Sequence, residues 1–437
     1  MIHSTDQKLQ VAAAPAQKYG PALAVITTVF FMWGFVTVLN DILVPHLKAI
    51  FELNYTQIML LQFTFFSAYF LMATPAARLI SWIGYSKSIV TGLCVMGVGA
   101  LLFLPAAGVP SYALFLTALF VLASGMTVLQ VAANPYVAVL GPPEHASSRL
   151  NLAQAFNSLG TTIGPFLGGL FILSAAQTTA AQLHAMSPAQ LQAHRIAEAS
   201  SVKMPYVGIA ALLFVLAFAI SRFKLPKIAA IEESRTHEST GWHDSVWRHR
   251  QLVLGAIGIF LYVGAEVSIG SFLVNYFSQP YIGGLSEKDA AGYVSFYWGG
   301  AMVGRFVGSA LMQKLKPGAV LAAAALIASA LVTTSIISTG HVAMWTIIAV
   351  GLFNSVMFPT IFTLGIDGLG KLTGKGSGIL IMAIVGGAIL PVLQGALADS
   401  IGIHLAFILP AVCYLYIVYY GLLGSRHGDV PVQAAEA

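Results

Sequence analysis

Polar and apolar residues do not alternate along most of this chain. Apolar positions run together for about 20 residues at a time, the length a helix needs to cross the ~30 Å hydrocarbon core of a bilayer. Twelve such runs, at 23–45, 57–80, 88–108, 111–140, 149–174, 204–222, 251–277, 291–313, 318–338, 343–367, 376–398 and 401–424, are separated by polar or Gly/Pro-rich punctuation. The pattern predicts an all-α membrane protein with twelve transmembrane helices. Composition agrees: 57% of residues are hydrophobic and 8% charged, with a mean hydropathy of +0.82. That leaves too few charges to coat a soluble domain.

The most charged stretch, "RFKLPKIAAIEESRTHESTGWHDSVWRHR", falls between the sixth and seventh runs. It divides the chain into a tail at 1–22, six spans over 23–222, a connector at 223–250, six spans over 251–424 and a tail at 425–437. Lys and Arg concentrate on the cytoplasmic side of a bilayer. Placing both termini and the connector inside puts every Lys and Arg at the inner face except Lys48, Arg195, Lys203 and Lys288. The expected location is therefore the inner (plasma) membrane, with both termini cytoplasmic. The basic pI of about 9.1 then reports topology, and no nucleic-acid partner is inferred from it. The first apolar run is too long for a cleavable signal core and is read as a retained helix. Cys94 and Cys413 lie far apart inside runs and imply neither a disulfide framework nor a metal site. No cofactor is expected.

The halves resemble each other when shifted by 224 to 230 residues. Gly160, Pro165 and Gly169 of "GTTIGPFLGG" match Gly386, Pro391 and Gly395 of "GGAILPVLQG". Arg78 and Lys87 recur as Arg305 and Lys314, Pro135 and Gly141 as Pro359 and Gly365, and Gly34 as Gly264. Short Gly/Pro matches are common in membrane helices, but agreement on nearly one offset points to two pseudo-symmetric six-helix bundles. Parallel repeats of this kind place a substrate site near the midplane between them.

A carboxylate at the middle of a membrane helix costs about 2.5 to 3.5 kcal/mol on insertion scales, so one found there usually faces a cavity. Asp41 in the first run and Glu266 in the seventh are the two clear cases, on helices that are equivalents under the repeat. Both are read as cation-coupling groups. The blander reading makes Asn40 and Asp41 a polar pair bonding to loop backbone, and Glu266 a packing residue bonded to a neighbouring helix. Arg78 and Arg305 are placed at cytoplasmic helix ends. They and the paired Pro135 and Pro359 are read as gating positions. A midplane without a fixed cation suits phosphates and carboxylates poorly, which favours neutral substrates.

Amides are plentiful in the runs: Asn40, Gln130, Asn134, Asn151, Gln154, Asn157, Asn275, Asn354 and Gln394. An amide both donates and accepts, which suits vicinal hydroxyls. Gln130 with Asn134, and Gln154 with Asn157, share helix faces by their spacing. Trp298 or Tyr297 could offer a flat surface to a sugar ring. Amides also hold membrane helices together at about 0.6 kcal/mol each, and half of these are expected to do only that. Gly160, Gly164, Gly168 and Gly169 are read as close-packing positions.

The stretches "NDIL" (Asn40 to Leu43), "AANPYVAVLGP" (Ala132 to Pro142) and "RLNLAQAFNSLG" (Arg149 to Gly160) resemble the fucose, galactose and glucose proton-symporter family of the major facilitator superfamily. The resemblance covers nearly the whole membrane region. It implies that Asp41 is a protonation and coupling residue and that Gln154 and Asn157 are cavity residues linked to sugar binding. The fucose branch carries a glutamate where this chain has Gln130, and an uncharged glutamine where it has Glu266. "YVGAEVSIGSFLVNY" is more similar to the glucose and galactose branch.

The expected activity is uptake of a neutral hexose with a cation, most simply a proton, by a monomer rocking its halves about a midplane site. Neutralising a carboxylate lets the loaded carrier seal its cavity, because an ionised one is hard to bury. One charge moved through 100 mV is worth about 2.3 kcal/mol, enough for a roughly 50-fold sugar gradient. Sodium held by Asp41 and Glu266 is the rival driver, and a proton-driven drug exporter the rival function. No nucleophile-base pair, metal-ligand cluster or phosphate loop within the runs suggests an enzyme.

Overall fold

The computed structural model describes residues 19–51, 55–108, 111–172, 186–187, 189–190, 203–223, 225–226 and 245–426; side chains at 39–51, 55–59, 107–108, 165–172 and 287 fall outside the description. Lipid offers the backbone no hydrogen-bond partner, so each crossing must satisfy its own, as a helix does. The main elements are α1 (Gly20–Phe51), α2 (Tyr55–Gly108), α3 (Tyr112–Val139), α4 (Ala146–Ile172), α5 (Lys203–Arg222), α6 (Arg250–Phe277) and α7 (Glu287–Leu311). They continue with α8 (Pro317–Ile337), α9 (Gly340–Asn354), α10 (Met357–Ile366), α11 (Thr373–Met382), α12 (Gly386–Ile401), α13 (Ile403–Ala406) and α14 (Ile408–Tyr419).

Among the described residues, nine stretches are long and apolar enough to cross a membrane, and one of them, Leu60–Ala106, is long enough for two crossings. Gly84, at φ 79°, breaks α2 between those two crossings, in a conformation glycine adopts without strain. The crossings outside this set are α4 and α7. In α7 the apolarity is diluted by Lys288, Asp289 and Arg305, while the apolar end of α4, 165–172, has its side chains outside the description. Each of the twelve predicted runs thus meets a helix.

The repeat is visible in the packing. A Cβ on Gly160 of α4 would stand 2.2 Å from the Phe31 carbonyl oxygen of α1, and one on Gly34 of α1 would stand 2.0 Å from that of Asn157. In the second half a Cβ on Gly386 of α12 would stand 2.0 Å from the Phe260 carbonyl oxygen of α6, and one on Gly264 would stand 2.0 Å from Leu390 Cδ1. Both pairs approach at distances only glycine permits.

Between the halves, α4 packs on α7 and α2 packs on α11. Under the repeat these are one interface seen twice. The polar contacts between halves gather toward the end where α4 begins and α10 finishes. Ser147 Oγ and Thr363 Oγ1 are 2.6 Å apart, Ser148 Oγ donates to the Ser309 carbonyl at 2.7 Å, and Ser309 Oγ donates back to that of Ser148 at 2.9 Å. Beside them Ser377 Oγ donates to the Val131 carbonyl at 2.8 Å, and a Cβ on Gly378 would lie 2.9 Å from Ala77 Cβ.

Candidate substrate and coupling site

Two crossings of the second half depart locally from regular α-helix while the backbone stays helical. One departs after Asn354, where α9 ends, and resumes as α10 with Pro359 in its first turn, where a missing N–H is harmless. The other passes through a 3-10 turn, Ala383–Val385, between α11 and α12.

Beside the first departure stands a cluster of polar side chains from α6, α7, α9 and α14. Glu266 is partly accessible, and among the described side chains it is the one acid that is not exposed. Its electrostatic neighbours are the Arg305 guanidinium and the Tyr262 hydroxyl, one turn away on the same helix face. The hydroxyls of Tyr297 and Tyr414 share this neighbourhood. Asn354 Nδ2 donates to Tyr297 Oη at 2.7 Å. Tyr262 lies within hydrogen-bonding reach of Glu266, and Tyr414 of Asn354, although one Glu266 oxygen, both hydroxyls and Asn354 Oδ1 fall short of full hydrogen-bond geometry. Buried polar atoms are normally satisfied, and these have each other as near partners.

Arg305 departs from its expected place. It lies six residues before the end of α7, roughly 9 Å inside it at 1.5 Å per residue, and not at a helix end. Acceptors hold it there. Its guanidinium donates to the Gln154 carbonyl at 3.4 Å, to Ser158 Oγ and to the Ser355 carbonyl at 3.3 Å. The span therefore carries a cation, and it acts through space on Glu266. Because the pair offsets its own charge, the site still favours a neutral ligand.

The sequence-derived amides divide into two kinds. Gln130 Nε2 donates to Tyr69 Oη at 2.6 Å, and Asn157 Nδ2 donates to the Phe30 carbonyl at 3.0 Å; both amides tie helices together. Gln154 Nε2 has no partner, and neither do the amide atoms of Asn134 and Gln394, although all three side chains are buried. Asn275 is exposed near the end of α6, where its carbonyl accepts from Gln279. Trp298 is 44% exposed and lies over Gly270, while its neighbour Tyr297 is the buried ring that joins the cluster. Arg78 is exposed on α2, and Pro135 is buried within α3. The side chains of Asn40 and Asp41 lie outside the described residues.

Tyr262, Tyr414 and Ser158 went unnoticed in the sequence. The spacing of four between Tyr262 and Glu266 would have found the first; nothing local marks Tyr414, more than a hundred residues away.

Two pseudo-equivalent helix sets enclosing unpaired polar groups at mid-span define a membrane carrier, and this chain belongs to the major facilitator superfamily, whose family model matches residues 23–384. The family is one of transporters, not enzymes. The chain is 54% identical over 422 residues to the glucose/galactose transporter of Brucella abortus (strain 2308), covering 97% of this chain and 98% of that one. It is 36% identical to the L-fucose-proton symporter of Escherichia coli (strain K12), over 95% of each. The crystal structure of FucP in the outward conformation matches with a TM-score of 0.86 at 35% identity, covering 93% of this chain and 99% of that one.

Proposed function

We propose that this protein imports a neutral hexose of the glucose or galactose type together with a proton, by alternating access across an inner membrane, acting as a monomer with both termini and the connector cytoplasmic. The carrying observation is the cluster of polar groups around Glu266 in the second half, beside Arg305, whose guanidinium reaches Gln154 and Ser158 of the first half. Free donors and acceptors without net charge fit a polyol and give an anion no anchor. The functions of these relatives point the same way. Asp41 and Glu266 are the coupling carboxylates in this reading. Gln154, Asn354 and Gln394 contact the sugar, while Gln130 and Asn157 set the helix positions around it. Arg305 spans the halves, so it senses their separation.

The test is uptake of labelled glucose or galactose into proteoliposomes under an imposed pH or sodium gradient. Wild type accumulates sugar under the pH gradient alone. Asp41→Asn keeps sugar exchange near the wild-type rate and loses accumulation, down to the roughly unit ratio of passive equilibration. Accumulation by Asp41→Asn, or a requirement for sodium, would overturn the proton assignment. Failure to move any hexose would overturn the function.

A further inference from the structure

A second concavity lies away from the central site, on the membrane-facing side of α7, α8 and α9. Its volume is about 730 Å³. Val303, Val307 and Leu311 of α7 form one wall, and Ala323 and Ile327 of α8 the other. These five side chains are all exposed, so lipid is what they meet in a bilayer. No acidic residue lines the groove. At its polar end stand Lys314 and Lys316, both exposed, in the short turn joining α7 to α8.

We propose that this groove binds one anionic phospholipid, with an acyl chain between α7 and α8 and the phosphate headgroup between Lys314 and Lys316. Depth supports the chain. From Val303 to Lys314 is eleven residues of helix and turn, roughly 16 Å at 1.5 Å per residue, and one leaflet contributes about half of the ~30 Å core. The groove therefore begins at a headgroup level and ends near the bilayer centre. Charge supports the headgroup. Two lysines without an acid in the lining attract an anionic lipid over a zwitterionic one. The same lysines border a neighbouring cavity of about 420 Å³ whose lining includes Glu144 and Asp367. Those acids repel a phosphate, which leaves the acid-free groove as its seat. Because α7 also carries Arg305, an occupant here would press on the helix that links the halves.

The experiment is native mass spectrometry of the purified full-length protein, equilibrated with equimolar phosphatidylglycerol and phosphatidylcholine of matched chains. Wild type retains phosphatidylglycerol preferentially. Lys314→Gln and Lys316→Gln each reduce that preference about 5-fold, and the double variant about 25-fold, at the usual strength of a lysine near a charged headgroup. Ala323→Phe, which fills the groove, lowers retention of both lipids while leaving the lysines in place. Equal retention of the two lipids by wild type, or an unchanged preference in the double variant, overturns the proposal. Lipid retention is read without transport, so this result and the sugar assignment stand or fall separately.

Discussion

At the scale of single residues, the Glu266–Arg305 pair makes a prediction that no single substitution can. Arg305→Gln strands a carboxylate in the bundle. The two act on each other through space, so the loss is smaller than the ~3–5 kcal/mol of breaking a buried contact pair. Glu266→Gln leaves Arg305 with its acceptors at Gln154, Ser158 and Ser355, so it is milder. The double variant should melt above Arg305→Gln, by the equivalent of about 1 kcal/mol, in a thermal-denaturation series in detergent. Additive losses would mean that the neutral acceptors alone hold the arginine. Glu266 was legible in the sequence because an acid in an apolar run is conspicuous by its cost. Arg305 was misplaced because a basic residue near the end of a run reads as a topology signal. The acceptors at Gln154 and Ser158 on α4, about 150 positions earlier, and at Ser355 draw it inward, and no local pattern reports them. The amides were legible as a set but not by role: Gln130 and Gln154 look alike until Tyr69 is seen to occupy one and not the other.

At the scale of elements, hydrophobic run length recovered the crossings because the bilayer imposes a single length on all of them. Run length could not show the departure from regular helix after Asn354, since Pro359 sits where a helix start and a kinked interior look the same. The glycine matches carried more information than their brevity suggested. Gly160 and Gly386, aligned by the repeat, press on carbonyl oxygens of α1 and α6 in the same way. Gly160→Val and Gly386→Val should therefore both be severe. Each would place side-chain carbon at about 2 Å from backbone, beyond the overpacking that costs about 1–3 kcal/mol in a core that can relax. The expected outcome is loss of the monodisperse peak in size-exclusion chromatography for both. Gly208→Val on α5, whose Cβ would meet nothing within 4 Å, should elute as wild type. A normal peak for either of the first two would show that these helix pairs separate more easily than the packing implies.

At the scale of the molecule, the halves touch through polar contacts at the end where α4 begins, and the match to FucP in the outward conformation is close. Alternating access requires those contacts to break in every cycle. The bonds suit that demand: Ser147 with Thr363, and Ser148 with Ser309, are uncharged pairs, each worth about 1 kcal/mol net and replaceable by water. A covalent link at the same place should stop the cycle while leaving the opposite end of the halves unlinked. The Ser148 and Ser309 Oγ atoms are 3.3 Å apart, so a cysteine pair at these positions, in a background lacking Cys94 and Cys413, is within reach of a disulfide. Under oxidation uptake should fall to background, and reduction should restore it. Sugar binding, followed by protection of a reporter at the opposite end, should persist in the oxidised carrier. The two readouts separate a locked cycle from a damaged protein: lost binding means damage, whereas uptake that survives full cross-linking means that this end does not open for the sugar to leave.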